Sequence, residues 1–456
     1  MNTKKRRLEY FSFYNHTGIE QHLSEMAKKG WLIESISNLY WTYRKIEPKE
    51  IHFCVSYYPR ASDFDPEPTE DQQTFHDFCA HTGWQLACTW HQMQVFYNEK
   101  ESPIPLETDP IMEVDTLHRA CKKNFLPSYY LLLALGLLMG GYFLARIYFD
   151  PIGLLSSSSQ LLTGFAYLSL LMISLVELIT YFTWYQKAKA SAQEGVFVDT
   201  PSTSHVQQII VAFLLIAMIF WLFDLFSLSN PVLAWIAVAM LIAMLGIMLT
   251  VNGIKQGLKK AKASRGLNRA LTLVACFMLP PILIGVVIYV GMVANGSDMR
   301  KNVPFDDSII PLSVTDFFEV DEDDYIQQNR SNETFLVGQR VVDMFGDWNI
   351  EGGIELPDLR YKITTVKVPF LYDWCAHQIF RDQDETNNNV PEGHRRIYKE
   401  TDAAPWGANT AYRLYQEEGW WQDSYLLYYD DRIIEIRFDW EPTTDDMAIV
   451  SQKLNP

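Results

Sequence analysis

The sequence predicts a multidomain membrane protein: an α+β cytoplasmic domain, an all-α five-helix transmembrane bundle and an α+β extracytoplasmic domain. Two observations carry this prediction. The middle of the 456-residue chain holds five runs of about 20 apolar residues, the length that crosses a bilayer as helix. On either side the sequence is polar, rich in aromatic residues and broken by turn signals, as in water-exposed domains. The expected domains are residues 1–125, 126–295 and 296–456.

Charge follows the same division. Residues 1–126 carry 14 Lys and Arg against 18 Asp and Glu, residues 127–295 carry 9 against 5, and residues 296–456 carry 15 against 32. Phosphate contacts need clustered Lys and Arg, so this acidic balance argues against direct nucleic acid binding. The apolar middle makes the lipid bilayer an expected partner.

The five apolar runs read as membrane helices, because a helix satisfies all its own backbone polar groups where water is absent. The third and fourth runs are separated by Ser229 and Asn230 only, which predicts a tight hairpin. The expected helices are residues 126–148, 160–185, 206–228, 231–253 and 269–293.

Orientation follows from Lys and Arg in the short flanks. Basic residues precede the first run, follow the second and fill the loop between the fourth and fifth, whereas residues 150–159 and 229–230 hold none. The positive-inside bias therefore predicts a multi-pass protein of the cell membrane, with the N-terminus in the cytoplasm and the C-terminus outside it.

Three residues inside the helices stand out. Glu177 is a carboxylate in an apolar run, and such groups are either functional or paired. No partner for it is evident, so an ion or proton role and an interhelical hydrogen bond both remain open. Gly136 and Gly140 form a GxxxG spacing that allows close helix packing, with a possible role in a homo-oligomer.

The N-terminal region contains a helix–strand–strand pattern twice. Helical periodicity over residues 18–29 ends at Gly30-Trp31 and is followed by two strands; a second helix over residues 70–80 ends at Gly83-Trp84 and is followed by two more. We therefore expect a duplicated unit with its helices on one face of an antiparallel sheet.

These segments resemble a known family. HLSEMAKKGWLIESISNLYWTYRKIEP and FHDFCAHTGWQLACTWHQMQVFYNE are similar to DUF2812, a family of uncharacterised bacterial proteins, over roughly residues 8–100. The resemblance implies a membrane regulatory or sensory role and, as a possible partner, a cytoplasmic PadR-like transcriptional regulator. It brings no catalytic residues.

The C-terminal region reads as α+β. Alternating patterns predict strands at 359–366, 411–415, 424–429 and 433–439, and helical spacing predicts helices at 372–382 and 444–454. The acidic stretch 306–324 and the run from Asp382 to Asn389 lack the Gly and terminal Glu of a calcium loop, so solvated loops are expected.

The chain lacks the motifs of common catalytic and cofactor sites, among them GxSxG, HExxH and the phosphate-binding GxxxxGK[ST]. We therefore expect no enzyme activity, no cofactor and no metal. The preferred hypothesis is a sensory or regulatory protein that couples an extracytoplasmic domain to a cytoplasmic, regulator-binding domain. Two alternatives remain: a small transporter or ion pathway centred on Glu177, and a membrane scaffold without a sensing role.

Overall fold

The computed structural model describes residues 3–37, 40–227, 231–295, 310–321, 324–346, 356–388, 390–391, 393–417 and 419–455. The chain divides into two compact units. One comprises residues 1–140 and 165–294, and the other comprises residues 141–164 and 295–456. The domain boundaries expected at 125/126 and 295/296 stay a prediction.

The first unit begins with an α+β region built from six strands and three helices. The strands form two three-stranded antiparallel sheets, with the orders β1-β3-β2 and β4-β6-β5, where a single sheet was expected. In chain order the elements are β1 (Lys4–Arg7), α1 (His16–Lys28), β2 (Trp31–Ile36), β3 (Trp41–Lys45), β4 (His52–Tyr57), α2 (Glu70–His81), β5 (Gln85–Trp90), β6 (Met93–Asn98) and α3 (Pro110–Lys123).

The repeat is strand–helix–strand–strand, one strand longer at its start than the sequence predicted. Gly30 and Gly83 follow the two helices with φ of +81° and +93°, a conformation that L side chains rarely adopt. Both sheets place their last strand in the middle. The register of β2 shifts between Ile33 and Ser35, and that of β5 shifts between Leu86 and Cys88, so each bulge lies four residues after its glycine.

Five long helices follow, and each is long and apolar enough to cross a membrane. A short helix, α5 (Pro151–Leu155), separates the first two. The long helices are α4 (Phe125–Phe149), α6 (Ser158–Gln193), α7 (Ser204–Ser227), α8 (Pro231–Lys260) and α9 (Arg265–Asn295). All five predicted runs lie on these helices, apart from residue 228 at the end of the third run, which falls outside the described residues. The hairpin expected at Ser229 and Asn230 falls outside the described residues.

One hydrophobic core joins the α+β region to two of these helices. Side chains of α1 and of both sheets pack with Leu117, Ala120 and Cys121 of α3. The same cluster contains Phe125 and Leu126 at the start of α4, and Leu178, Tyr181, Trp184 and Ala188 on α6. The α+β region is therefore completed by the ends of α4 and α6.

The second unit contains one seven-stranded antiparallel sheet of order β10-β11-β12-β13-β9-β8-β7. One face packs with α11 and the other with α10 and α5. The elements are β7 (Tyr325–Glu333), β8 (Val337–Gly346), β9 (Leu359–Val366), α10 (Tyr372–Asn387), β10 (Arg396–Thr401), β11 (Thr410–Gln416), β12 (Trp420–Tyr428), β13 (Arg432–Phe438) and α11 (Thr444–Leu454).

The predicted class, an α+β region, five apolar helices and a second α+β region, is confirmed. Four strands were not predicted. β1 is a run of four exposed basic residues at a sheet edge, and β7 is polar and exposed over most of its length. β8 and β10 also lack a clear alternation of buried and exposed positions. A strand that buries neither face regularly leaves no period-two signal to read.

Candidate functional site

Glu177 lies fully buried on α6 and is bound by three polar side chains. Ser12 Oγ donates to Glu177 Oε1 at 2.8 Å. Thr203 and Gln207 donate to the same oxygen, Thr203 from the segment before α7 and Gln207 from α7 itself. The hydrogen-bond donors that the sequence did not reveal therefore come from the N-terminal segment and from the start of α7. Together with Glu177 they join these two segments to α6.

The second oxygen of Glu177 is bare. Oε2 is buried and has no hydrogen-bond partner among the described residues. An unsatisfied buried polar atom costs about 1–3 kcal/mol and is rare in folded proteins, so Glu177 stays a candidate functional residue.

The segment between α6 and α7 is fastened to the start of α1 by further hydrogen bonds. Thr200 N donates to Thr17 Oγ1 at 2.9 Å, and Thr200 Oγ1 donates to Asn15 Oδ1 at 3.0 Å. Asn15 also caps α1 by accepting from the backbone N–H of Gly18. We call the set Ser12, Asn15, Thr17, Glu177, Thr200, Thr203 and Gln207 the polar junction.

Aromatic side chains pack beside the polar junction. The Tyr14 ring lies 5.2 Å from that of Phe125 and 5.3 Å from that of Tyr181, centroid to centroid, both edge-on. Edge-to-face pairs of this kind contribute about 0.5–1.5 kcal/mol each beyond the area they bury. Tyr14 therefore anchors the N-terminal segment to α4 and α6.

A cavity of about 540 Å³ opens beside the junction, between α1, β4, α3 and residues 197–199. Its lining includes His16, Glu20, Glu107 and Glu113, and no described lining residue is Lys or Arg. His16 Nε2 lies 2.8 Å from Glu113 Oε1. Glu20 accepts from the backbone N–H of Val55 at 2.7 Å. The cavity wall is acidic and includes the first turn of α1.

Burial controls the charge state of this wall. It raises the pKa of Glu20 to about 7, assisted by the neighbouring Glu113 and Glu107 carboxylates. Burial likewise raises the pKa of Glu107. For His16, burial lowers the pKa, but the hydrogen bond to Glu113 and the charges of Glu20 and Glu113 outweigh it, so the net pKa is raised.

Basic side chains at the end of α8, in the α8–α9 loop and at the start of α9 pair with an acidic loop of the α+β region. Lys255 Nζ lies 2.5 Å from Asp63, and Lys262 Nζ lies 2.7 Å from Glu67. Arg265 grips Asp65 with two nitrogens, at 2.5 and 2.6 Å. The charges that predicted the orientation also hold the α+β region against this loop.

Gly136 and Gly140 are both buried on α4, and they differ in how closely α6 approaches. A Cβ on Gly136 would lie 2.9 Å from Leu171 Cα, a backbone atom of α6. A Cβ on Gly140 would find only Leu168 Cδ2, at 3.8 Å. Within this chain the close approach is therefore at Gly136.

Sequence reasoning singled out Glu177 and missed its ligands. Ser12 is 165 positions away from Glu177, and Gln207 is 30 positions away across a loop. Small polar residues at such separations carry no local signal. Within the described part of the chain, no cluster of three or more His, Cys, Asp or Glu side chains could hold a metal ion.

The geometry defines a class of protein: five apolar membrane-type helices, two of which complete the core of an N-terminal α+β domain. The model of the family described as Protein of unknown function (DUF2812) matches residues 4–129. The resemblance drawn from residues 8–100 is thus confirmed for the N-terminal region, and the match extends through α3 into the first turns of α4. No curated protein and no solved structure matches the chain.

Proposed function

We propose that this protein is a membrane-embedded regulator that couples an extracytoplasmic C-terminal domain to a cytoplasmic, regulator-binding N-terminal domain. One observation carries the proposal: α4 and α6 belong to both compact units. The start of α4 and the C-terminal part of α6 complete the N-terminal core. Residues 141–164, which include α5 and connect the two helices, belong to the C-terminal unit.

In the C-terminal unit the connection is built into the core. Ile152, Leu154 and Leu155 are buried in one cluster with side chains of the sheet and α10. Thr334 Oγ1 donates to the carbonyl of Leu155 at 2.5 Å, and Gln378 Nε2 donates to that of Phe149 at 2.6 Å. A rearrangement of this domain would therefore act directly on the α4–α6 connection.

Sidedness rests on the flanking charges and on the number of helices. Five helices are long and apolar enough to cross a membrane, and an odd number of crossings would put the two ends of the chain on opposite sides of it. The positive-inside bias favours the cytoplasm for the N-terminal side. The α4–α6 connection, one crossing away from the N-terminal domain, belongs to the C-terminal unit, as this arrangement requires.

The test compares two leucine truncations in the full-length protein. Leu154→Ala removes a buried side chain of α5, whereas Leu454→Ala removes one of α11 from the opposite face of the same sheet. Each opens a cavity and costs about 2–5 kcal/mol. We expect Leu154→Ala alone to increase hydrogen exchange over residues 12–17 and 200–207, measured by mass spectrometry in detergent.

Equal hydrogen exchange in both variants would refute the coupling.

The same variants test which partner the N-terminal domain binds. We propose a cytoplasmic transcriptional regulator of the PadR type, as the family resemblance implies. A crosslinking pull-down through a tagged N-terminal domain should recover a regulator whose amount changes in Leu154→Ala and not in Leu454→Ala.

The bare oxygen of Glu177 favours one second candidate, an ion pathway through the helices. Among the described residues of the long helices, Glu177 is the sole buried acid or base, whereas ion and proton pathways usually contain several ionisable groups. Glu177→Gln should abolish flux into proteoliposomes if the pathway exists, and the exposed Glu194→Gln should not. We expect no flux from the parent protein or from either variant, because Glu177 holds the polar junction together.

A further inference from the structure

The C-terminal unit contains a groove that the contacts described so far do not use. It lies between the first turns of α10 and the adjoining ends of β11 and β12, and its volume is about 430 Å³. Sites for small organic molecules fall in the range of roughly 300–1,000 Å³. The groove is thus large enough for a small ligand.

Aromatic rings form its wall. The ring of Phe380 lies 5.2 Å from that of Tyr412, edge-on, and 6.2 Å from that of Tyr428, nearly parallel. Tyr372 is held in place because its hydroxyl donates to the carbonyl of Tyr429 at 2.5 Å. The wall therefore combines rings from a helix and from two strands.

Tyr428 has an unmet hydrogen-bonding capacity. Its side chain is 9% exposed, and its hydroxyl is buried without a partner among the described residues. Tyrosine hydroxyls in folded proteins normally find a partner when buried. Tyr428 therefore places a hydroxyl without a partner among the described residues at a ligand-sized groove.

The charge of the groove is negative. Asp373 and Asp430 stand exposed at its rim, and none of the described lining residues is Lys or Arg. Asn409 Nδ2 donates to Asp430 Oδ1 at 2.8 Å, which fixes the direction of that carboxylate. The excess of acidic residues over residues 296–456 adds a long-range attraction for cations.

The geometry points to a binding site for a small organic cation, with an alkylammonium group against Phe380, Tyr412 and Tyr428 and its charge facing Asp373 and Asp430. Aromatic faces and carboxylates together are the usual recognition elements for ammonium groups. This inference rests on the proposed function and gives the sensed ligand a chemical class.

The groove is adjacent to the membrane connection through a single helix. α10 contributes Tyr372 and Phe380 to the groove, while Cys375 and Ile379 of the same helix pack in one cluster with Ile152 of α5. A ligand that displaces α10 therefore acts on the segment between α4 and α6.

Titration calorimetry on the full-length protein tests the site. The probe is choline chloride, in a maltoside detergent, which carries no ammonium group, and at constant ionic strength. The comparison ligand is the uncharged isostere of choline, in which carbon replaces the quaternary nitrogen. We expect choline to bind and the isostere not to bind.

Paired variants locate the binding. Asp373→Asn with Asp430→Asn should weaken choline binding roughly ten-fold or more, because both changes keep the shape and remove the charge. Asp384→Asn, an exposed change on the same helix outside the groove, should leave it unchanged. All these aspartates are exposed, so folding is preserved.

Absence of choline binding, equal binding of the isostere, or equal affinity in all variants would overturn the inference. The outcome is separable from that of the proposed function. Choline binding without a change in hydrogen exchange at residues 12–17 would support the binding site and refute the coupling. Increased exchange in Leu154→Ala without choline binding would support the coupling and refute the binding site.

Discussion

Glu20 makes the folding stability of the α+β domain depend on pH. Its pKa is raised from 4.5 to about 7 by burial, so above pH 4.5 the unfolded chain gives up the proton before the folded one does. The contribution of Glu20 to the free energy of unfolding is complete below about pH 4.5 and is lost as pH rises through about 7. His16 and Glu107, whose pKa values are also raised, act in the same direction.

We therefore expect the thermal midpoint of the full-length protein in detergent to fall between about pH 5 and pH 8, and Glu20→Gln to flatten this fall. The amide keeps an acceptor for Val55 N–H, so the variant loses no hydrogen bond there. Above pH 7 its free energy of unfolding should exceed that of the parent protein by on the order of 2 kcal/mol. Glu25→Gln, an exposed change on the same helix, is the control. Parallel slopes for Glu20→Gln and the parent protein would contradict the assignment.

Residue-scale prediction from sequence reached Glu177 and stopped there. The cost of a carboxylate in an apolar helix is visible in the sequence, since residues 151–186 contain no other Asp, Glu, Lys or Arg. Its donors are not, because Ser12 and Thr203 are unremarkable where they stand and acquire meaning only from the fold. The cavity residues Glu20 and Glu113 escaped notice for the same reason.

At the scale of elements, Gly136 and Gly140 offer an internal comparison. Gly136→Ala places a methyl group against the backbone of α6 at Leu171, and overpacking of this kind costs about 1–3 kcal/mol. Gly140→Ala meets one side-chain atom at ordinary contact distance. Both changes bring the same gain in helix propensity, so the difference isolates packing.

The expected outcome is a lower thermal midpoint in detergent for Gly136→Ala and an unchanged or higher one for Gly140→Ala. Gly141→Ala, where nothing lies within 4 Å of the added atom, gives the reference for propensity alone. If all three variants melt together, the close approach of α4 and α6 at Gly136 is wrong.

Strands that follow a clear turn signal were predictable even where their burial does not alternate, as in β5 and β6. Both repeats in the α+β domain were visible because each helix ends at a Gly-Trp pair. β1 and β7 were missed because sheet edges made of polar residues resemble loops in sequence. In each repeat the unrecognised member is the first strand: β1 was missed, and residues 51–57 were expected as a strand but were not assigned to a repeat.

At the scale of the whole molecule, the apolar runs predict the order of regions along the chain, and they do not predict how cores are shared. Residues 141–164 look like the end of one helix, a loop and the start of the next, and they belong with a domain that begins 131 residues further on, at residue 295. Hydropathy reports which segments avoid water, and not which apolar partner they find.

The ion pairs between the acidic loop and the basic α8–α9 loop also constrain how the protein is made. Asp65 and Arg265 are 200 residues apart. At about 5–20 residues per second, the ribosome delivers the arginine roughly 10–40 s after the aspartate. During that interval the acidic loop lacks its contacts with α8 and α9, and the core around Tyr14 is incomplete until α4 and α6 have been inserted. Maturation of the N-terminal domain is thus paced by membrane insertion, and an arrested chain ending before α6 would present that surface to chaperones and proteases.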